Sequence, residues 1–358
     1  MADTDNPAPA DQQSAWPEDP PGLPPMSPAR RGPFGSIKAG ARMTYVWASF
    51  ILVQPGMYIL SIVPAILVAG VVMGVYMVSG GVDPATITPE ALPPDLELLL
   101  IAVASIVQFP VWALMVIAWI KGFERRSLAS AGFRGPNPLR RYGLGFALGV
   151  AAVVFLGIFG SFVETPAEVV IEDPNLGRLL SPAWILVFVC AVTFFLIQGS
   201  CEEIAFRGWM MSSIAARRGL AMGVVLNTIL FGSFHFHVFA SGIAGGFASI
   251  LAITCVGLFM SLWAVYDRSI IGVCGAHGAF NASAVVIGLL GGAAQSPEAG
   301  PLEVLMQTIE EATALDGEAS VATGLVQLAV FAAFSGVTLW LILRRPPVVE
   351  EGEEAKVF

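Results

Sequence analysis

Charge is scarce in this chain. Asp, Glu, Lys and Arg make up only 13% of its 358 residues, about half the share carried by a soluble globular protein. Hydrophobic residues make up 56%, and the mean hydropathy is +0.75. A chain so poor in charge cannot coat a water-exposed globule, so the composition excludes an ordinary soluble enzyme and points to a protein that crosses a membrane several times.

Other absences narrow the chemistry. There are only four cysteines, Cys190, Cys201, Cys255 and Cys274. All lie in apolar runs without C-x-x-C spacing, which removes a disulfide framework or a zinc ribbon and leaves them as small core residues. There are only three histidines, and no His-Glu-x-x-His run occurs. No Gly-x-Ser-x-Gly elbow or ordered triad is present, although Ser200 and Cys201 stand beside Glu202, so serine or cysteine hydrolysis has no footing. The net charge is −9, which gives no reason to propose nucleic-acid binding. No internal repeat is visible, which counts against a transporter built from paired halves.

The amino terminus lacks the aliphatics needed to fold. It carries Pro7, Pro9, Pro17, Pro20, Pro21, Pro24, Pro25, Pro28 and Pro33, and residues 1–35 read as a disordered Pro-rich tail. Asp3 and Asp5 stand where a signal peptide would be basic, and no apolar stretch follows, so targeting rests on the first membrane helix. Residues 346–358 form an acidic tail with Glu350, Glu351, Glu353 and Glu354.

Between the tails, residues 36–345 read as an all-α, polytopic transmembrane helical bundle. About eight spans are expected, at 57–78, 96–120, 142–162, 182–204, 220–241, 246–266, 269–292 and 321–343, each near the length of about 20 residues that a bilayer requires. The segment 36–56 either lies on the surface or extends the first helix. Residues 206–218 are expected to form an interfacial helix, with the next span starting near Leu226. An N-in, C-in arrangement puts 17 of the 18 Lys and Arg on the cytoplasmic side, with Arg178 the exception; the opposite loops carry acids such as Glu298, Glu303, Glu310 and Glu311.

Against this apolar background three polar groups stand out. The first is Glu202, Glu203 and Arg207. A carboxylate at membrane depth costs about 2.5–3.5 kcal/mol on insertion scales, and two sit side by side here. Glu203 and Arg207 are four apart and share a helix face, whereas Glu202 is rotated about 100° away. One carboxylate can pair with the guanidinium while the other is available for proton chemistry. The second group is Phe231-x-x-x-His235, with Asn227 one turn earlier. His237 falls about 200° from residue 235 on a helix and is set aside as a bystander. The third is His277-x-x-x-Asn281, again on one face. Taken singly, each also fits a structural role: a salt-bridged helix end, a hydrogen-bonded core histidine, an interhelical hydrogen bond. Taken together, three helices each offer polar groups on one face, and a desolvated polar cluster is costly unless it serves a function.

In order and spacing, Glu202-Glu203-x-x-x-Arg207, Phe231-x-x-x-His235 and His277-x-x-x-Asn281 resemble the three motifs of the CaaX-processing and bacteriocin-processing (CPBP, or Abi) intramembrane proteases, over a core at 182–285. Gly208, after Arg207, also suits that family. The resemblance implies a glutamate-dependent endopeptidase acting on a membrane-associated protein or peptide within the lipid bilayer, with no cofactor. By the same resemblance Glu202 is the general base, His235 positions the attacking water, His277 and Asn281 stabilise the oxyanion, and Glu203 with Arg207 orients the site. A zinc ion held by Glu202, His235 and His277 is the mechanistic rival. A proton- or ion-coupled transporter and a non-catalytic scaffold or immunity protein are the functional alternatives. The tail composition points to a bacterial cytoplasmic membrane; no oligomeric state is assigned.

Overall fold

The computed structural model describes residues 30–37, 41–80, 92–160, 176–313 and 318–344. Helices dominate. They are α1 (Gln54–Gly80), α2 (Pro94–Ala118), α3 (Pro138–Gly160), α4 (Pro182–Glu203), α5 (Ser212–Arg218), α6 (Leu220–Ser233), α7 (Ile243–Asp267), α8 (Ile271–Gln295), α9 (Pro301–Thr313) and α10 (Glu318–Arg344). A short antiparallel hairpin precedes them, pairing β1 (Arg30–Gly32) with β2 (Gly35–Ile37). The expected boundary of the Pro-rich tail at residue 35 falls inside this hairpin, whose turn residue Phe34 is completely buried among Met211, Val224 and Ile270. Residues 1–29 and the acidic tail lie outside the described residues.

Among the described residues, seven helices are long and apolar enough to cross a membrane. Side chains such as Leu60, Val71, Val78, Leu186 and Leu343 stay exposed on their outer faces, where hydrocarbon rather than water is the matching solvent. The chain is therefore an integral, multi-pass helical bundle.

The count differs from the eight expected, and the difference lies at 220–241. That stretch forms a helix of only 14 residues, Leu220–Ser233, about 21 Å long against a hydrocarbon core of about 30 Å. Two local events end it. His235 leaves helical geometry at φ −103°, ψ 24° and opens a short 3-10 turn, Phe236–Ser241, and Gly242 then takes φ 112°, a conformation open to glycine alone without strain. Residues 206–218 also differ from expectation. They continue α4 through a π-helical turn, Ile204–Met211, into α5, so one unbroken apolar helix runs from Pro182 to Arg218. At the amino end, a π-helical turn at Ala48–Val53 leads directly into α1, which settles 48–56 as an extension of the first helix. Cys201 and Cys274 are buried, while Cys190 is exposed on α4 and Cys255 partly so.

Helix α8 is the hub, packed between α3 and α4, and every residue from Gly272 to Ala279 is buried. Small residues make this possible, because they let backbones approach closely. A Cβ on Gly199 of α4 would lie 2.6 Å from the Gly278 nitrogen, and one on Gly278 would lie 2.8 Å from Leu196 Cα. Arg178, the exception to the expected cytoplasmic placement of basic residues, has a structural task. It donates to the carbonyl of Ala293 in the last turn of α8, where a helix leaves its carbonyls without intrahelical partners, and to those of Ser296, Pro297 and Ala299 just beyond it.

Candidate active site

The site is built where α4, α6, α7 and α8 meet. Glu202 and Glu203 are the last residues of α4, and both are buried. The π-helical turn that follows buries every residue from Ala205 to Met211; such turns recur at functional sites. Phe206 anchors it, edge-on to Trp112, Phe231 and Phe234 at 5.8, 5.2 and 5.2 Å.

Glu203 and Arg207 are both fully buried and form the ion pair that their spacing allows, with NH1 2.8 Å from Oε1. The guanidinium is satisfied on its other edges by α7. NH2 donates to the Gly257 carbonyl at 2.9 Å and Nε to Ser261 Oγ at 3.3 Å. Ser261 Oγ in turn donates to the Gly257 carbonyl at 2.7 Å and accepts from Asn227 Nδ2 at 2.9 Å, which uses its one donor and both acceptor positions. Arg207 Cζ also lies 4.2 Å from the centre of the Phe231 ring. A buried pair is worth keeping only when its remaining polar edges are satisfied in this way.

His277 joins the two carboxylates. Its Nδ1 lies 2.7 Å from Glu203 Oε1. A carboxylate oxygen can only accept, so Nδ1 carries the proton and Nε2 faces the other way. There, Glu202 Oε2 is 3.8 Å distant. That oxygen is buried and has no hydrogen-bond partner. The other oxygen of Glu202, Oε1, accepts from Gln198 Nε2, and Gln198 Oε1 accepts from Asn281 Nδ2 at 2.9 Å. Each carboxylate keeps a buried Oε2 without a hydrogen-bond partner. They differ in that Glu203 Oε1 is held by an arginine and a histidine, whereas Glu202 Oε1 takes only the Gln198 amide and its Oε2 faces His277 Nε2.

Five of the six residues singled out from sequence, Glu202, Glu203, Arg207, His277 and Asn281, form this connected network. His235 does not bond to it. Its Nδ1 contacts the Phe231 carbonyl at 2.9 Å, which again fixes Nδ1 as the donor. Its ring packs on Phe231 at 5.0 Å, and Phe231 packs on His277 at 5.8 Å. The expectation that His235 and His237 face apart assumed a continuous α-helix. Because the chain enters a 3-10 turn there, the two rings lie 5.9 Å from each other.

Three participants were not singled out from sequence. Gln198 had a legible signal, a polar side chain one turn before Glu202 in an apolar helix. Ser261 and Gly257 had none. As for a metal, no group of three or more His, Cys, Asp or Glu side chains among the described residues could hold one. His277 Nδ1 is engaged by Glu203 Oε1 and His235 Nδ1 by a backbone carbonyl, which leaves Nε2 as the acceptor nitrogen of each ring.

Comparison with known proteins meets this geometry. A family model described as Type II CAAX prenyl endopeptidase Rce1-like matches residues 182–283. The matched stretch is similar to that family over less than a third of the chain. It agrees with the CPBP motifs and holds all six residues singled out from sequence. The matched stretch runs from the start of α4 to the middle of α8, and α1–α3, α9 and α10 lie outside it. Searches of curated proteins and of solved structures gave no match.

Proposed function

We propose that this protein is an intramembrane endopeptidase that hydrolyses a peptide bond in a membrane-associated protein or peptide, using a water activated by Glu202. The observation that carries this reading is the unequal treatment of two adjacent buried carboxylates. Glu203 Oε1 is held at hydrogen-bonding distance by both Arg207 and His277, whereas Glu202 Oε1 takes only the Gln198 amide and its unbonded Oε2 lies 3.8 Å from His277 Nε2. Amide hydrolysis needs a base for the water, a donor for the tetrahedral oxygen and an acid for the departing amine.

In this mechanism Glu202 Oε2 takes a proton from water as the water oxygen attacks the carbonyl carbon. The oxyanion receives hydrogen bonds from Asn281 Nδ2 and from the His277 ring. The carbon–nitrogen bond then breaks, and the proton held by Glu202 passes to the amine. Glu203 and Arg207 orient His277. His235, its Nδ1 donating to a backbone carbonyl, offers Nε2 as an acceptor that positions the water on the Phe231 side. The reaction is metal-independent.

The distribution of basic residues supports an N-in, C-in placement in a bacterial cytoplasmic membrane. In that placement α6 and the 3-10 turn after it serve as the eighth crossing.

The test is cleavage of a membrane peptide by the purified wild-type protein and by Glu202→Gln, His235→Ala and Asn281→Ala, each first shown to insert. General bases are worth about 10²–10⁴-fold and oxyanion donors about 10²–10³-fold, so Glu202→Gln should be the most damaging. A chelator should leave wild-type turnover unchanged. Substrate uptake driven by a pH gradient without cleavage would instead indicate a transporter, and full cellular function from Glu202→Gln would indicate a scaffold.

A further inference from the structure

The geometry points to Gln198 as a positioning residue for the general base, through which Asn281 also acts on Glu202. This inference rests on the protease reading above. Gln198 lies one helical turn before Glu202 on α4, and its carboxamide is engaged at both ends. Its nitrogen donates to Glu202 Oε1, and its oxygen accepts from Asn281 Nδ2 at 2.9 Å, across to α8.

The direction of this chain follows from chemistry. An ionised carboxylate can only accept hydrogen bonds, so the side of Gln198 facing Glu202 must be its NH₂ group. The carbonyl of Gln198 then faces Asn281 and requires that residue's NH₂ there. An Asn amide carries two N–H groups. Using one on Gln198 leaves the second for the oxyanion.

The consequence is a choice between the two oxygens of Glu202. Oε1 is occupied by Gln198, and Oε2 is the buried oxygen without a partner, 3.8 Å from His277 Nε2. Gln198 fixes which oxygen meets the water and restrains the carboxylate's rotation. Without it, Glu202 would turn freely about its last torsion, which is broad and intrinsically weakly restrained, and the productive orientation would be populated part of the time. Groups that orient a catalytic side chain are part of the site even when they never touch the substrate.

The experiment combines kinetics with infrared spectroscopy on the full-length protein in lipid. Gln198→Met keeps volume and removes both hydrogen bonds. It should lower kcat by roughly 10- to 100-fold, the scale on which outer partners of active-site ligands act, with little change in KM. The carboxylate band assigned to Glu202, by its loss in Glu202→Gln, should shift in Gln198→Met. Gln198→Glu should regain turnover as pH falls, because a protonated carboxyl can donate to Glu202 and accept from Asn281 at once. The Gln198→Met/Asn281→Ala double variant should lose less than the product of the single losses.

Wild-type kcat in Gln198→Met with an unmoved Glu202 band would overturn the inference and leave the protease reading standing. A raised KM at intact kcat would also overturn it, since Gln198 would then be contacting substrate. If the wild-type protein cleaves nothing, the protease reading fails. The infrared arm still decides the contact: a shifted band supports it and an unmoved band sinks it. Should Gln198→Met fail to accumulate, the isosteric Gln198→Glu and its pH profile carry the test.

Discussion

Substituting Gly199 by alanine should separate stability from catalysis. A Cβ there would meet the Gly278 nitrogen at 2.6 Å, its Cα at 2.8 Å and the His277 carbonyl carbon at 3.0 Å. All three are backbone atoms of α8 and cannot swing aside. Ordinary carbon contacts lie at about 3.5–4.0 Å, so α4 and α8 must part by about 1 Å. The bond from His277 Nδ1 to Glu203 Oε1, now 2.7 Å, would stretch to roughly 3.7 Å, outside hydrogen-bonding range. Overpacking costs about 1–3 kcal/mol, partly offset by the gain of about 0.5–1 kcal/mol when alanine replaces glycine in a helix. The melting temperature should fall only slightly. Turnover should fall about 10²-fold, the scale of a 1 Å misplacement in a catalytic constellation. Gly157→Ala on α3 and Gly291→Ala on α8 are the controls, since a Cβ at either position meets nothing within 4 Å; both should keep wild-type turnover. Wild-type turnover in Gly199→Ala, measured on a membrane peptide in lipid, would refute the claim that this helix crossing sets the site.

Three other perturbations follow. Arg207→Met strands a fully buried Glu203 and should destabilise by about 3–5 kcal/mol, read as a lowered melting temperature; adding Glu203→Gln should recover much of the stability but not the turnover. Glu124→Gln weakens a second buried network, in which Glu124 accepts from Thr44, Arg126 and Ser213; its loss should expose residues 41–44 to limited proteolysis. Arg178→Gln removes donors to four carbonyls at and just beyond the end of α8 and should cost about 1–3 kcal/mol in thermal melts, without touching kcat.

Hydropathy located most helices because each apolar run is bounded by proline, glycine or charge. The expected 182–204, 246–266 and 269–292 lie close to Pro182–Glu203, Ile243–Asp267 and Ile271–Gln295. At 220–241 it ran past the helix end at Ser233, because an average over a window does not register a backbone break. Val238 and Phe239 are as apolar as the helix before them, while the chain at His235 has already left helical geometry. Within the site, relations along one helix were legible from the 3.6-residue period, as for Glu203 with Arg207. Relations across helices were not. The contacts of Asn281 with Gln198 and of Arg207 with Ser261 join residues 83 and 54 positions apart, and they depend on helix crossings that spacing cannot specify. His237 shows the reverse error, where an assumed helical period separated two rings that a tighter turn keeps near each other.

The most direct measurement is mass spectrometry of membrane peptides from cells producing the wild-type protein or Glu202→Gln at equal abundance, with and without a chelator. Removing the Glu202 carboxylate should abolish a specific set of cleavage products that the chelator leaves untouched. The same products at the same level from Glu202→Gln would contradict the assignment of Glu202 as the group that activates water.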